Sequence, residues 1–384
     1  MKSLFIMAGE KSGDLLGGRL ALSLNKQFPE HVLQGVAGPT MRDNGVEPLM
    51  RAEEFEVMGF SDLIKSLRKM VKRLKQVQEH ILHTEPDAVI LIDYPGFNLR
   101  LAEALKRNGY KGKVIQYVSP SVWAWGKGRI QKMENCLDHL LTILPFEKEL
   151  FADTTLPVTY VGNPIAEIVE SHTYDPDWKR LFGMKESDHI IGLFPGSRRS
   201  EVLSNLPYQL KAAEQFIHKY PDAVFGISCA HEQVIPAMHQ MLEGKSLTIN
   251  ENIFLLPKSY SYELMRDCRS AIAKSGSVTL ELALHACPSV VIYKLNLFNK
   301  LIAKYFLKLN LPHYCIVNIL MKETVFPELI AKGLSSKNIL RNLNELHEES
   351  DSRTACVEKC ESLRLKLKDK VASVEAAQVI SELI

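Results

Sequence analysis

The sequence predicts an α/β protein with two open sheets of mostly parallel strands. Short apolar runs of strand length alternate with longer stretches of helical period, as is typical of a parallel sheet covered by helices on both faces. The alternation stops at residues 163–188, a segment rich in Pro, Asp and His, and then starts again. A chain of 384 residues is long enough for two or three domains, each with its own core.

The first half contains the first series of predicted strands. They are expected at residues 4–8, 32–36, 87–92, 114–118, 140–143 and 159–161. Helical periods at about 14–28 and 99–108 separate some of them. This order predicts a Rossmann-like N-terminal domain at residues 1–165.

The second half repeats the order of elements, without a sequence repeat. Its strands are expected at residues 189–194, 223–228, 253–255, 270–273 and 289–293, with a helix at about 205–220. This predicts a second Rossmann-like domain at residues 166–350, followed by a helical segment at 351–384. Two such domains are expected to face each other across a cleft, with ligands at the carboxyl ends of the strands.

Composition and charge exclude several classes of protein. The net charge of +2, from 47 basic and 45 acidic residues, lacks the basic excess of a nucleic-acid-binding protein. No window approaches the ~18 consecutive apolar residues of a membrane span. The seven cysteines include no Cys-x-x-Cys pair and no complete set of zinc ligands, so reduced thiols and no metal site are expected.

The motif AGEKSGD at residues 8–14 directly follows the first strand. It is neither a G-x-G-x-x-G fingerprint nor a P-loop, so it does not support NAD or ATP binding. Glu10, beside glycines at a strand end, favours a functional site. The alternative is a tight turn in which Asp14 caps a helix.

Asp93 directly follows another apolar strand and precedes a Pro-Gly break. A carboxylate at the mouth of a buried strand is costly unless it is paired or functional, so Asp93 is a candidate general base. The alternative is a loop aspartate that accepts backbone N–H bonds.

Residues 117–126 place Trp123 and Trp125 two positions apart in a loop. Aromatic rings with polar edges suit the faces of sugars. Alternatively, the two rings only anchor the loop.

Two motifs in the second half are suited to phosphate. PGSRRSE at residues 195–201 combines small residues with the planar guanidinium of Arg198. SGSVTLE at residues 275–281 places small residues at a predicted helix N-terminus, which is suited to an anion, and Glu281 could bind a ribose diol. The alternatives are a plain surface turn for the first and a helix-dipole carboxylate for Glu281. The sequence therefore predicts a nucleotide on the second domain and chemistry on the first.

Two stretches, 63–82 and 294–309, combine an apolar helical face with many basic residues. A basic amphipathic helix is the expected form for contact with an anionic membrane surface. The alternative is a core-facing helix with a solvated basic face.

Together these motifs resemble those of the lipid-A-disaccharide synthase family, inverting glycosyltransferases of the GT-B fold. The resemblance runs from about residue 3 to residue 330. The motifs that carry it are AGEKSGD at 8–14, VAGP at 36–39, MGFSD at 58–62, IDYPGFN at 92–98, YVSPSVWAW at 117–125, LPFEKELF at 144–151, PGSRRSEV at 195–202 and SGSVTLE at 275–281.

The resemblance implies a reaction between two acylated glucosamines. The donor would be UDP-2,3-diacylglucosamine and the acceptor 2,3-diacylglucosamine 1-phosphate, giving a β-1,6-linked disaccharide 1-phosphate and UDP for lipid A biosynthesis. It implies no cofactor, no metal and no nucleic-acid partner. It further implies a peripheral enzyme on the cytoplasmic face of a Gram-negative inner membrane, with the C-terminal helix packed back on the first domain.

Roles for single residues follow from the same resemblance. Asp93 would take the proton from the acceptor 6-hydroxyl, with Glu10 as a second essential polar group. Arg198 would contact the diphosphate and Glu281 the ribose. The remaining expected donor residues are Gly196, Ser197, Ser275, Gly276, Thr279 and Asn318, and the expected acceptor-loop residues are Ser12, Asn98, Ser119 and Trp123.

The sequence departs from the family pattern at Asn163. The family usually has Gly-His-Pro there, and this chain has Gly162-Asn163-Pro164. An amide can form hydrogen bonds but cannot carry a proton at this position.

Two rival functions remain open, a UDP-sugar 2-epimerase and a lipid or nucleotide-sugar carrier without catalysis.

Overall fold

The computed structural model describes residues 2–55, 63–123, 128–186, 189–230, 232–294 and 312–384. The chain forms two compact units. The first unit comprises Met1–Pro164 together with Asp369–Ile384, and the second comprises Ile165–Lys368. Each unit contains one parallel sheet with helices, which confirms the predicted fold class.

The first unit contains a seven-stranded sheet in the order β3-β2-β1-β4-β5-β6-β7. Its strands are β1 (Lys2–Ala8), β2 (His31–Ala37), β3 (Glu47–Arg51), β4 (Ala88–Ile92), β5 (Lys113–Tyr117), β6 (His139–Thr142) and β7 (Val158–Tyr160). Its helices are α1 (Lys11–Gln27), α2 (Pro39–Asp43), α3 (Leu63–Thr84), α4 (Pro95–Arg107) and α5 (Gly128–Cys136), and a 3₁₀ turn covers Pro145–Phe151.

The second unit contains a six-stranded sheet in the order β10-β9-β8-β11-β12-β13. Its strands are β8 (His189–Phe194), β9 (Ala223–Cys229), β10 (Ile253–Pro257), β11 (Ser270–Lys274), β12 (Ser289–Tyr293) and β13 (Glu328–Ile330). Its helices begin with α6 (Pro164–Glu170), whose first residue belongs to the first unit, and continue with α7 (Trp178–Leu181), α8 (Arg199–Lys219), α9 (Ile235–Leu242), α10 (Ser261–Asp267), α11 (Ser277–Leu284), α12 (Ile316–Met321), α13 (Ser336–His347) and α14 (Asp351–Leu367).

The C-terminal segment, expected as one helical unit at 351–384, is divided between the two units. Helix α14 buries Cys356, Cys360 and Leu363 in the core of the second unit. The last helix, α15 (Ala372–Leu383), packs on α1 in the first unit, where Ser23 Oγ donates to Ser373 Oγ at 3.0 Å. The chain therefore returns to its first unit only after residue 368.

The central strands are apolar because helices cover both faces of each sheet. In β1, Phe5 and Met7 face one buried cluster while Leu4 and Ile6 face the other. All seven cysteines are free thiols, and all are buried.

Asp14 caps a helix, but not the one that the sequence suggests. It lies inside α1, and its carboxylate accepts the N–H groups of Thr40 at 2.9 Å and Met41 at 3.0 Å, at the start of α2. Gly38 is required beside it, because a Cβ there would lie 2.3 Å from Asp14 Cγ. Asp14 thus joins the helices that follow β1 and β2.

We predict that Asp14→Ala destabilises the first unit. The change leaves two N–H groups without their carboxylate, which is expected to lower the free energy of unfolding by about 2 kcal/mol. Urea unfolding would measure the loss. The exposed Asp43→Ala serves as control, and equal stability of the two variants would contradict the capping role.

Candidate active site

In each sheet two adjacent strands are followed by connections that leave in opposite directions, and several of the candidate residues follow these strands. In the first unit β1 lies between β2 and β4, so the connections after β1 and β4 leave in opposite directions. Open α/β sheets bind their ligands in the crevice that this arrangement creates at the carboxyl ends. Ala8 pairs with Ile92, so Gly9 and Asp93 are the next residues of the two strands.

The turn after β4 has an unusual backbone. Asp93 and Tyr94 both have left-handed conformations, with φ of 48° and 43°. Gly9 allows the ring of Tyr94 to approach, because a Cβ on Gly9 would lie 2.6 Å from Tyr94 Cδ1. Left-handed non-glycine residues are typical of functional turns that the surrounding structure holds in place.

Two buried amides hold this turn. Asn98 Nδ2 donates to the carbonyl oxygens of Ile92 at 3.1 Å and Asp93 at 2.8 Å. Gln116 Nε2 donates to the carbonyl oxygens of Asp93 and Val118, each at 3.1 Å. The predicted acceptor residue Asn98 thus supports Asp93 through its backbone. Gln116 was not among the predicted site residues, although a Gln within an otherwise apolar strand is a signal of such a role.

Asp93 has the electrostatic properties expected of a general base. Its carboxyl is partly buried, and burial raises its pKa above the usual range, against the opposing effect of a backbone hydrogen bond from Tyr94. Burial raises the pKa of Tyr94 as well, and the negative charge of the exposed Glu10 adds to that effect. Glu10 and Asp93 are therefore on the same crevice.

The other predicted acceptor residues lie on neighbouring connections. Ser12 is exposed in the first turn of α1. Ser119 follows β5 and is buried, and its hydroxyl donates to the carbonyl of Pro120 at 3.1 Å. Trp123 packs edge-on against Phe146, with ring centres 6.1 Å apart. Trp125 lies outside the described residues.

Glu147 is a second buried carboxyl at the same edge of the sheet. It follows β6, and its Oε2 accepts the N–H groups of Ile143 at 3.3 Å and Leu144 at 3.1 Å. Burial raises its pKa to about 7, against the effect of these two bonds. The carbonyl of Ile143 also accepts Asn163 Nδ2 at 3.1 Å, so Asn163 supports the same turn.

The corresponding crevice of the second unit lies between β8 and β11. In the loop after β8, the N–H groups of Ser197 and Arg198 point to Glu201 Oε2, at 3.1 and 3.4 Å. Gly196 has a φ of 122°, and a Cβ there would lie 2.7 Å from Glu201 Oε2. Glu201 therefore occupies the loop amides that the sequence suggests for phosphate, while the Arg198 side chain is 82% exposed.

The connection after β11 is a short turn of small residues. The Ser275 N–H donates to the carbonyl of Ile292 at 2.9 Å, and Gly276 precedes the first residue of α11. Thr279 is fully buried, and its hydroxyl donates to the Gly276 carbonyl at 2.7 Å. Thr279 therefore holds the turn, and the N-terminal N–H groups of α11 are the donors suited to an anion.

Glu281 belongs to a network of aromatic and imidazole groups. Burial raises the pKa of its carboxyl, against a hydrogen bond from the Tyr262 hydroxyl at 3.2 Å and the charge of Lys258. One turn on, His285 accepts or donates a bond to the Tyr174 hydroxyl at 2.9 Å. The predicted ribose carboxylate is thus oriented by Tyr262, a residue that the sequence analysis did not select.

The structure assigns Asn318 a different role from the predicted donor contact. Its Nδ2 donates to the Phe326 carbonyl at 2.8 Å and to Glu328 Oε1 at 2.6 Å. Its Oδ1 accepts the N–H groups of Val325 and Phe326, both at 2.9 Å. These bonds use the hydrogen-bonding capacity of the buried amide, so it orders the segment before β13.

Helix α3, the first basic amphipathic stretch, is partly embedded in its unit. Val77 and Ile81 lie in the core, as its apolar face predicts. Arg73, one of the basic residues of this stretch, is buried, 3.7 Å from Glu54 Oε2 and over the ring of Phe55 at 4.9 Å. The remaining described cations up to residue 75 are exposed, namely Arg68, Lys69, Lys72 and Lys75. Residues 295–309 of the second basic stretch lie outside the described residues.

A cavity of about 530 Å³ lies between α3 and α4, next to the turn of Asp93. Met70, Val71 and Leu74 line it from α3, and Gly96 and Phe97 from α4. Val71 is 66% exposed, which is unusual for a valine. The cavity therefore offers an apolar surface beside the candidate base.

Comparison with known proteins assigns a family. The sequence matches the model of the lipid-A-disaccharide synthetase family over residues 4–383. It is 35% identical to the lipid-A-disaccharide synthase of Chlamydia pneumoniae over 97% of this chain, and 36% identical to that of Trichlorobacter lovleyi over 95%. The chain spans 61% of the length of the first relative and 93% of that of the second.

Solved structures of low sequence identity share the fold. A UDP-GlcNAc 2-epimerase from Neisseria meningitidis, bound to UDP-GlcNAc, has a TM-score of 0.64 at 12% identity, with 100% of this chain and 99% of that chain covered. The epimerase from Methanocaldococcus jannaschii, in complex with UDP-GlcNAc and UDP, has a TM-score of 0.63 at 12% identity, with 100% of both chains covered. At this identity the likeness concerns the fold alone.

We predict that Glu147 makes the stability of the first unit depend on pH. Its folded pKa of about 7 lies above its unfolded value, so the folded chain binds the proton more tightly. The stability that the folded chain gains from protonated Glu147 is present below pH 4.5 and is lost as the pH rises to 7. Glu147→Gln should therefore be more stable than the unchanged chain at pH 8, by roughly 1–3 kcal/mol, and similar to it near pH 4.5.

Urea unfolding at several pH values would measure the difference. The exposed Glu149→Gln is the matched control and should give the same pH profile as the unchanged chain. A stability gain of Glu147→Gln that did not vary with pH would contradict the assignment.

Proposed function

This chain belongs to the lipid-A-disaccharide synthetase family, and from that premise we propose that it joins two acylated glucosamines. The donor would be UDP-2,3-diacylglucosamine and the acceptor 2,3-diacylglucosamine 1-phosphate. The products would be the β-1,6 disaccharide 1-phosphate and UDP. The single observation that carries the chemistry is Asp93, a partly buried carboxyl of raised pKa on a strained turn at the crevice of the first sheet.

The proposed reaction inverts the configuration at the anomeric carbon. Asp93 accepts the proton of the acceptor 6-hydroxyl as that oxygen attacks the anomeric carbon from the face opposite UDP. The bond from that carbon to the diphosphate breaks, and UDP leaves with the electron pair. Burial suits Asp93 to this role, because a raised pKa makes a carboxylate a stronger base.

The second unit would bind the donor. Its crevice combines the small residues at 275–277, the N-terminus of α11 and the exposed guanidinium of Arg198. These groups can stabilise the negative charge that develops on a diphosphate, so we propose that the transfer does not need a metal ion. Glu281, oriented by Tyr262, is suited to the ribose hydroxyls.

The first unit would bind the lipid. The cavity between α3 and α4 provides an apolar surface for an acyl chain next to Asp93. The exposed cations of α3 are suited to the anionic headgroups of a membrane. We therefore propose a peripheral enzyme that works on the cytoplasmic face of the inner membrane. No helix within the described residues is long and apolar enough to cross a bilayer.

We predict that Asp93→Asn lowers kcat by about 10²- to 10⁴-fold, because an amide cannot accept the proton. UDP affinity should change less than about twofold, since the donor residues belong to the second unit. Mass spectrometry of a detergent mixture of the two acylated sugars would detect the product, and calorimetry would give the UDP affinity. The exposed Asp153→Asn is the control.

The pH profile provides a second test of the same residue. Because the pKa of Asp93 is raised, activity should fall on the acid side at a pH above the usual aspartate range. A variant that kept full activity would remove Asp93 as the base. Absence of both disaccharide and released UDP in the unchanged protein would instead refute the transferase function, and interconversion of the UDP-sugar alone would favour an epimerase.

We predict that Gly96→Leu interferes with the acyl chain. A Cβ on Gly96 meets no atom within 4 Å, so the new side chain can enter the cavity without moving the backbone. Displacing about two methylenes should raise the KM for a long-chain acceptor about tenfold. A short-chain acceptor and UDP should bind as before, and Gly96→Ala is the matched control. An equal loss with the short-chain acceptor would show that the change acts through Asp93.

A further inference from the structure

The crevice of the second sheet contains a further cation, Lys274. Lys274 is the last residue of β11 and directly precedes the turn of small residues. Phe194 of β8 pairs with Ala273 of β11, so Pro195 and Lys274 are the next residues of two adjacent strands. Lys274 is thus placed where both candidate donor loops begin.

The side chain of Lys274 is held in this position. Its Nζ lies 3.1 Å from Glu201 Oε1, and the two side chains are 19% and 20% exposed. The same ammonium lies 3.7 Å from the point that a Cβ of Gly276 would occupy, and 5.8 Å from the centre of the Tyr293 ring. One carboxylate therefore joins the loop after β8 to the turn after β11, with the ammonium beside the start of α11.

Glu201 keeps its charge in this arrangement. Burial opposes its ionisation, but the ammonium of Lys274 and the N–H groups of Arg198 and Ser197 outweigh burial, so its pKa is lowered. Its two oxygens have different partners: Oε2 accepts the N–H groups of the loop, and Oε1 faces Lys274. An ammonium has three N–H donors, and one bond to Glu201 leaves others that can reach a ligand.

Lys274 and Arg198 differ in how firmly they are placed. The Arg198 side chain is 82% exposed and its Nη1 lies 4.0 Å from Glu201 Oε1. A mostly exposed side chain loses rotamer freedom when it orders around an anion, and bulk salt screens its charge. Lys274 is already ordered and less exposed, so its charge acts on the crevice at a fixed point.

We propose that Lys274 binds the diphosphate of the donor, and that Glu201 is the positioning residue that holds the ammonium beside Gly276. The inference rests on the proposed function, in that the ligand is a nucleoside diphosphate. The competing explanation is that Lys274 serves only as the counterion of Glu201. The two explanations differ in the effect that Lys274→Gln has on UDP affinity when Glu201 is already Gln.

The experiment is calorimetric titration of the full chain with UDP and with uridine, at fixed ionic strength. Lys274→Gln should weaken UDP binding about tenfold, the lower end of what a charged hydrogen bond contributes, and leave uridine binding unchanged. The double variant Glu201→Gln/Lys274→Gln should likewise bind UDP about tenfold more weakly than Glu201→Gln alone. Lys274→Arg should recover most of the affinity, and the exposed Lys211→Gln on α8 is the matched control.

Three outcomes would overturn the inference. If the effect of Lys274→Gln disappears when Glu201 is Gln, Lys274 is only a counterion. If uridine affinity falls as much as UDP affinity, the variant disturbs the whole site. If the unchanged protein and Lys274→Gln bind UDP equally, the inference fails while the proposed function stands. An unchanged protein that does not bind UDP would instead refute the proposed function itself. The double variant has no unpaired charge, so it keeps the comparison possible should Lys274→Gln fold poorly.

Discussion

Two adjacent parallel strands whose connections leave in opposite directions must open a crevice at their carboxyl ends, and both units depend on this constraint. In the first sheet the crevice lies between β1 and β4, and in the second between β8 and β11. The strands are buried and mostly apolar toward their carboxyl ends, so polar side chains first reach the crevice at or just beyond the last strand residue. Glu10, Asp93 and Lys274 all occupy such positions at a strand end or within two residues of it.

A reactive carboxyl at such an edge needs support from inside the protein. Asp93, Tyr94 and Val118 have left-handed backbones, each of which costs about 1 kcal/mol or more. The buried amides of Asn98 and Gln116 offset that cost by binding the carbonyl groups of the turn. Within the described part of the chain, the side-chain oxygen of each amide lacks a hydrogen-bond partner. Both amides thus use their N–H donors on the carbonyl groups that fix the position of Asp93.

The sequence predicted the fold class, and it placed Glu10 and Asp93 at strand ends, because strands and glycine turns are local signals. Asp14 shows the limit of such signals, since its partners Thr40 and Met41 are distant in the chain. Arg73 lies at the edge of the apolar face of α3, three residues after Met70 and four before Val77, and Glu54 and Phe55 cover its charged side chain. Asn318 looks like a ligand contact until the segment before β13 is seen to use its whole amide. Each of these differences arises from a tertiary contact that helical or strand periodicity does not encode.

The two crevices share a topology but differ in charge, and this difference supports the assignment of one ligand to each unit. The first carries Glu10 and Asp93, whose negative charges would repel a diphosphate. Burial already disfavours the ionised form of Asp93, and a nearby diphosphate would disfavour it further. A neutral sugar hydroxyl meets no such repulsion and can donate to either carboxylate. The second carries Lys274, Arg198 and the start of α11, which favour an anion, while the carboxylate of Glu201 is itself paired with Lys274. A donor phosphate bound in the first crevice would leave the cations of the second without a ligand and the base of the first without a proton to take. With the donor in the second crevice and the acceptor in the first, each charged group lies beside a group that it attracts.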